Sequence, residues 1–207
     1  TKAELVRASS DSKTRMLRSF KGFMVNSYNP IPATLNGQPI VIGPVPGTFL
    51  FIYDFETFSI DKDITVVGIE NAENFRQIEK QRYLFKDINP LFVCRYPQNQ
   101  HKDMVCWLQS VENPYLHFGD FDLAGIQIFL SEYFRYLGGR ATFFIPPDIE
   151  VLIKEYGNAK RYDNQISNIE IKDITDERLF ELIRIIHVYK KGLDQEILIR
   201  RDEDKLT

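Results

Sequence analysis

The sequence predicts an α/β fold in which helices flank a parallel β-sheet, preceded by a segment of antiparallel β-structure. Three observations lead to this prediction. From Asp63 onward, apolar runs typical of strands alternate with longer helical patterns, as in sheets built from strand-helix-strand units. Residues 64–69 are almost continuously apolar, which indicates a strand covered on both faces. Before Asp63, short apolar runs are separated by turn-forming residues.

Residues 1–62 are predicted to form a basic start followed by a β-hairpin segment. The pair Asn36-Gly37 lies between two apolar runs and predicts a tight hairpin, because both central positions of a type I′ turn need positive φ. Residues 48–55 are predicted to form a further strand. Before the hairpin lies a basic stretch, which is either a solvated face or a local surface for nucleic acid: Lys2, Arg7, Lys13, Arg15, Arg18 and Lys21.

Residues 63–207 are predicted to form the α/β domain. Strands are expected at residues 64–69, 91–95, 115–118 and 141–145, and helices at residues 71–84, 101–111, 126–137 and around 179–186. The third helix is indicated by a stripe of large apolar residues at helical spacing from Ile126 to Leu137, which is typical of a side packed on a core. Because the chain opens at Thr1 with a charged stretch, we expect it to be the C-terminal piece of a longer protein.

Composition excludes several classes of protein. A net charge of −3 argues against binding nucleic acid through the overall field, so any DNA contact must be local. No apolar run approaches the roughly 20 residues that a membrane-spanning helix needs, so no membrane partner and a cytoplasmic location are expected. Cys94 and Cys106 lack paired spacing and are interpreted as reduced thiols.

Acidic residues follow two of the predicted strands at corresponding places. Glu70 follows the first strand, and Asp120 and Asp122 follow the third, just after Gly119. Because ligands bind outside the carboxyl ends of strands in open parallel sheets, these acids are expected at one edge of the fold. Carboxylates brought together repel unless a cation is shared among them, and hard oxygen ligands suit Mg²⁺ or Mn²⁺. The alternative is that the two aspartates cap the next helix while Glu70 is solvated.

Two stretches that contain these acids resemble a known family. Val66-Val67-Gly68-Ile69-Glu70-Asn71-Ala72-Glu73-Asn74-Phe75 and Gly119-Asp120-Phe121-Asp122-Leu123-Ala124-Gly125 resemble a Toprim domain. The variant is that of topoisomerase VI A subunits and, closest, of the Wadjet plasmid-defence nuclease subunit JetD, whose pattern the late Leu193-Asp194-Gln195-Glu196 also resembles.

The resemblance implies a Toprim-like sheet and a metal-dependent domain that cleaves DNA, works as a homodimer, and belongs to a plasmid or phage defence system with SMC-like partner subunits. It implies that Glu70, Asp120 and Asp122 are catalytic and bind the metal. Supporting roles are implied for Asn71, Glu73, Gly119, Gly125, Gln195 and Glu196.

Other interpretations remain open. Hydrolysis is favoured over attack by a tyrosine, since no tyrosine lies in a winged-helix context. A haloacid-dehalogenase type phosphatase would use Asp120 as nucleophile and Asp122 as acid/base, and would leave Glu70 unexplained. A non-catalytic Toprim-like module that binds nucleic acid or a partner protein is a further alternative. His117 is predicted to be a satisfied core histidine, and Arg161 a solvated residue of a polar loop.

Overall fold

The computed structural model describes residues 21–96, 101–168, 174 and 176–200. Of the predicted basic stretch, Lys2 to Arg18 lie outside the described residues. No helix in the described part of the chain is long and apolar enough to cross a membrane.

Strands in the described residues form two sheets. They are β1 (Phe23–Ser27), β2 (Ile31–Leu35), β3 (Gln38–Ile42), β4 (Leu50–Ile52), β5 (Ser59–Ile60), β6 (Thr65–Ile69), β7 (Pro90–Cys94), β8 (Tyr115–Phe118) and β9 (Ala141–Phe143). The six-stranded sheet has the order β4-β1-β7-β6-β8-β9, and the three-stranded sheet has the order β3-β2-β5. Strands β6 to β9 are parallel to their neighbours among themselves, whereas β1 pairs antiparallel with β4 and β7.

The predicted fold class is therefore confirmed, with one addition. Strands β1 and β4, from the predicted N-terminal segment, are hydrogen-bonded into the main sheet rather than forming a separate layer. Only β2, β3 and β5 form the separate antiparallel sheet. Its hairpin turn is the predicted one, since Asn36 and Gly37 have φ values of 52° and 71°, the left-handed backbone that a type I′ turn requires.

Helices cover the main sheet. They are α1 (Ala72–Arg76), α2 (His101–Ser110), α3 (Leu123–Ile128), α4 (Arg135–Leu137), α5 (Ile149–Tyr156), α6 (Ala159–Ile166) and α7 (Glu177–Tyr189). A π-helical segment, Phe129–Phe134, joins α3 to α4, and short 3₁₀ helices lie at Phe55–Thr57, Ile78–Phe85, Gly138–Arg140 and Gln195–Leu198. The predicted apolar stripe is confirmed as core, with Ile126, Phe129, Tyr133 and Leu137 all buried.

The sequence prediction was incomplete at three helices. Residues 71–84 form the short α1 and a 3₁₀ helix instead of one α-helix. The buried Gln81 side chain donates to the carbonyl of Asn74 at 2.7 Å, so an amide side chain takes an acceptor that a longer α-helix would use. Helices α5 and α6 were not predicted, and the placement of Arg161 in a loop was wrong, because Arg161 lies in α6.

The order of the parallel strands defines where a ligand site is expected. From β6 the chain moves to β7 on one side, and then returns to place β8 on the other side of β6. Such a reversal creates a crevice outside the carboxyl ends of the two strands that flank it. Here those strands are β6 and β8, which end directly before Glu70 and Gly119.

Candidate metal centre

Three segments meet at the crevice between β6 and β8. Glu70 follows β6, and its N–H donates to the Phe118 carbonyl at 3.0 Å. The loop after β8 carries Asp120 and is bridged to the late segment, since the N–H of Phe121 donates to the Leu193 carbonyl at 2.9 Å and the reverse bond is 3.0 Å. The late motif singled out in the sequence is thereby placed beside the acids after β8.

Three carboxylates converge here: Asp120, Asp194 and Glu196 each offer an oxygen, and these atoms lie within 4.8 Å of one another. Neither Glu70 nor Asp122 is in this group, although Glu70 is close enough for its charge to act on Asp120. The structure therefore brings together one of the three predicted ligands with two residues of the late motif. Glu70 and Asp122 as metal ligands stay predictions.

Asp120 is held in a partly buried, acidic environment. Its Oδ1 accepts from the Gln195 N–H at 3.0 Å, and its Oδ2 accepts from Arg161 at 3.1 Å. Burial raises the pKa of Asp120 to about 6; the Gln195 N–H and Arg161 oppose this shift, and the charges of Asp122 and Glu70 add to it. A carboxylate whose charge is disfavoured in this way gains from a nearby cation.

Asp122 has a structural role in this arrangement. Its Oδ1 accepts from the Gly125 N–H at 2.8 Å, which caps α3, as in the alternative interpretation of the sequence. Its Oδ2 accepts from Arg161 at 2.7 Å and from Gln165 at 2.9 Å. The side chain is 1% exposed, so both oxygens are engaged inside the protein.

Arg161 supplies the positive charge that balances the acids. Its guanidinium contacts Asp120, Asp122 and Asp194. Helix α6 places it there, with the Asn158 side chain capping the helix by accepting from the Arg161 N–H. The planar guanidinium can satisfy several carboxylate oxygens at once, which allows the acids to lie close together in the absence of a metal ion.

Asn71 and Gln195, both predicted as supporting residues, fix the late motif against β6. The Asn71 amide donates to Glu196 Oε1, while its oxygen accepts from the Glu73 N–H at 2.7 Å and caps α1. With its amide oriented to satisfy both neighbours, the Gln195 side chain donates to the Phe118 carbonyl at 3.3 Å and accepts from the Asn71 N–H at 3.1 Å. Glu73 itself points away from the site and pairs with Arg76 at 3.0 Å.

The two predicted glycines are required by close approach. A Cβ on Gly119 would lie 2.5 Å from Glu70 Oε2 and 2.8 Å from His117 Nε2. A Cβ on Gly125 would lie 2.3 Å from the Asp120 carbonyl oxygen. All three separations are shorter than van der Waals contact, so side chains at these positions would push the acids out of place.

The donor set fits a divalent cation. Glu196 Oε2 is buried without a hydrogen-bond partner, and a buried acceptor of this kind is costly unless a cation or water satisfies it. Oxygen donors alone, partly completed by water, match the preference of Mg²⁺ or Mn²⁺. Asp120, Asp194 and Glu196 are the residues that would hold such an ion.

Sequence reasoning missed two of the residues that form this centre. Asp194 stands in the late motif but was not assigned a role. Only the folded structure shows that it lies between Leu193, which forms a β-bridge with Phe121, and the buried Gln195. Arg161 carries no motif, and its role depends on helix α6, which the sequence pattern did not reveal.

The fold and the site define the class of protein. It is a doubly wound α/β domain with a carboxylate site where the order of the strands reverses. A family model described as Domain of unknown function (DUF7281) matches residues 25–204, and the chain belongs to this family. No curated protein matches the chain.

The pKa of Asp120 makes stability depend on pH. Because the folded pKa of about 6 lies above the ordinary value, the folded state binds the proton more tightly, and stability is lost as pH rises from about 4 to 6. Asp120→Asn removes this loss. We expect its free energy of unfolding, relative to the wild type, to rise by about 2 kcal/mol across that range, measured by urea unfolding in chelator. A difference in the free energy of unfolding that does not change with pH would contradict the raised pKa of Asp120. The control is Asp163→Asn, at an exposed position.

Gly119→Ala should lower the free energy of unfolding by about 1–3 kcal/mol, because its methyl group overpacks the gap between Glu70 and His117. Gly139→Ala is the control, since a Cβ there meets no atom within 4 Å. Urea unfolding of both variants checks the effect. Equal stabilities for the two variants would show that the gap tolerates a side chain.

Proposed function

We propose that this domain is a Toprim-like, Mg²⁺- or Mn²⁺-dependent DNA-cleaving domain that hydrolyses phosphodiester bonds. The observation that carries the proposal is the convergence of Asp120, Asp194 and Glu196 within 4.8 Å at the β6/β8 reversal, with Glu70 beside them. The Toprim-like motifs supply the substrate class, and the carboxylates supply the metal requirement.

The chemistry divides among named residues. Asp120, Asp194 and Glu196 would hold the ion, which when bound supplies positive charge to a phosphate and its leaving oxygen. Glu70 lies at the end of the neighbouring strand and would accept the proton of the attacking water. The water oxygen bonds to phosphorus, the bond to the 3′ oxygen breaks, and that oxygen is protonated from solvent. Arg161, once released from the acids, can pair with phosphate.

The positions of nearby tyrosines favour hydrolysis over tyrosine attack. Tyr115 and Tyr133 lie behind Glu70, and both are buried, at 1% and 0% exposed. Burial raises the pKa of both hydroxyls, so they stay protonated. The same burial keeps them from reaching DNA.

The proposed partners are DNA, a second copy of the chain and SMC-like subunits. A role in plasmid or phage defence is also proposed. The net charge of −3 means that DNA must be gripped by a local basic surface or by a partner. The basic residues nearest the start of the chain are the candidates for that surface.

A non-catalytic module is the second candidate, and one observation favours it. Arg161 already balances Asp120, Asp122 and Asp194, so the acids could serve an internal ion-pair network without a metal. The phosphatase alternative is less well supported, because the proposed acid/base, Asp122, is a buried helix cap with both oxygens engaged.

Metal binding separates the first two candidates. We expect titration calorimetry to detect Mn²⁺ binding by the wild type, and Asp194→Asn to weaken it at least about tenfold by removing a ligand. Asp163→Asn, which removes an exposed carboxylate on α6, is the matched control and should bind normally. Wild-type protein that binds no Mn²⁺ would leave the non-catalytic module as the better account.

Cleavage tests the activity itself. With Mn²⁺, the full chain should nick or linearise supercoiled plasmid, and Asp120→Ala and Glu70→Ala should each reduce the rate by about 100-fold or more, since each removes a ligand or a proton acceptor. Gel analysis of the plasmid over time gives the rates, with Asp163→Asn as control. Equal activity in wild type and both alanine variants would refute catalysis at this site.

A further inference from the structure

Beside Glu70 lies a buried histidine, His117, that the proposed chemistry does not use. We infer that His117 is a positioning residue: it directs its Nε2–H at Glu70 Oε2 and orients this carboxylate, while the Tyr115 hydroxyl donates to the other ring nitrogen. The inference deepens the proposed function and rests on it, because it concerns the residue that accepts the proton.

The two facing atoms lack any other partner. His117 Nε2 lies 3.6 Å from Glu70 Oε2, and the side chains are 1% and 15% exposed. Both atoms are buried, and neither has a hydrogen-bond partner. Since a buried polar atom without a partner costs about 1–3 kcal/mol, and a small approach would bring these two into hydrogen-bond range, each is the natural partner of the other.

The tautomer follows from the other ring nitrogen. Tyr115 Oη lies 3.0 Å from His117 Nδ1. If the hydroxyl donates to Nδ1, then the proton of the neutral imidazole is on Nε2 and faces the carboxylate. In the opposite tautomer, two acceptors would face each other in a buried space. The Glu70 carboxylate, which can only accept, therefore favours the Nε2–H form of His117, and the Tyr115 hydroxyl can satisfy Nδ1 in that form by donating to it.

The surrounding core prevents His117 from turning away. Its ring packs against Phe129, Tyr133 and Phe143, with centroid distances of 5.6, 4.9 and 5.5 Å. Tyr133, which belongs to the π-helical segment, also stacks on Tyr115 at 5.0 Å. Pairing of Gly68 with His117 places His117 on the neighbouring strand, level with the residue two positions before Glu70.

The strongest nearby cation is already engaged. Arg95 follows β7, and its charge is felt at Glu70. Its guanidinium, however, is bound in a fork to Glu132, with distances of 2.9 and 3.1 Å. Arg95 is therefore not free to replace His117, whose Nε2 faces Glu70 Oε2 at 3.6 Å. Gly119 keeps the space between the two free of a side chain.

The prediction of a satisfied core histidine holds for only one of its two nitrogens. Nδ1 is hydrogen-bonded, whereas Nε2 is not. A histidine that served packing alone would not need a tautomer matched to a carboxylate. A second Tyr-His pair provides the comparison, because Tyr162 Oη lies 3.0 Å from His187 Nδ1 on an exposed side of α7.

The first arm of the test is spectroscopic and does not require activity. Long-range ¹H–¹⁵N NMR of the full chain should show His117 as the Nε2–H tautomer. Tyr115→Phe should increase the Nδ1–H form, and Glu70→Gln should shift the Nε2 resonance. An Nδ1–H tautomer in the wild type, or resonances unaffected by both substitutions, would overturn the inference.

The second arm is kinetic. His117→Leu should lower kcat for plasmid cleavage by about 10- to 100-fold, as expected when a proton acceptor is misoriented, with KM and Mn²⁺ affinity unchanged. His117→Gln, which can still donate toward Glu70, should recover most of the loss, and His187→Gln is the control. Parallel loss of Mn²⁺ affinity, or no rescue by glutamine, would show that His117 serves only the fold.

The two arms separate this inference from the proposed function. If the wild type cleaves no DNA while His117 is the Nε2–H tautomer and responds to Glu70→Gln, the contact stands and the assigned activity fails. If the wild type cleaves DNA while His117 is the Nδ1–H tautomer, the activity stands and the positioning role fails.

Discussion

Parallel pairing of β6 with β8 is the constraint on which the site depends. The register places Ile69 beside Phe118, so the next residues, Glu70 and Gly119, leave the sheet side by side at the strand reversal. Both strands are buried on their two faces, and a shift in register would disrupt the close packing of their side chains in the core. The hydrophobic core therefore fixes the positions of the acidic residues above it.

Charge is the second organising principle. Asp120, Asp122 and Asp194 are held together by Arg161, while Glu196 Oε2, Glu70 Oε2 and His117 Nε2 are buried without partners. Breaking a partly buried ion pair on one side leaves an uncompensated charge. The ionised acids are therefore stabilised by a neighbouring cation, which is the Arg161 guanidinium here. A bound metal ion would replace that guanidinium and leave Arg161 free to bind a substrate.

The sequence revealed the parts of this arrangement that depend on local pattern. The apolar run before Glu70, the Asn36-Gly37 turn and the stripe from Ile126 to Leu137 each have a short-range physical cause, and the fold class followed from them. Helix α6 was missed because its residues are mostly polar and exposed, so it shows no apolar stripe.

The site itself was only partly predictable, because its members come from distant parts of the chain. Glu70 and Asp120 were found because both follow strands. Asp194 reaches them only through the pairing of Phe121 with Leu193, a long-range contact without a sequence signal. Spacing alone could not show that Asp122 caps helix α3; the bond from the Gly125 N–H shows it.

The central claim is that the three carboxylates form a metal centre, and that the Arg161 guanidinium balances their charge when no ion is bound. Anomalous diffraction from crystals grown with Mn²⁺ tests it most directly. We expect an anomalous peak bonded to Asp120, Asp194 and Glu196, with the Arg161 guanidinium withdrawn from Asp120 and Asp194. No peak at these carboxylates, with Arg161 still bound to all three aspartates, would contradict it.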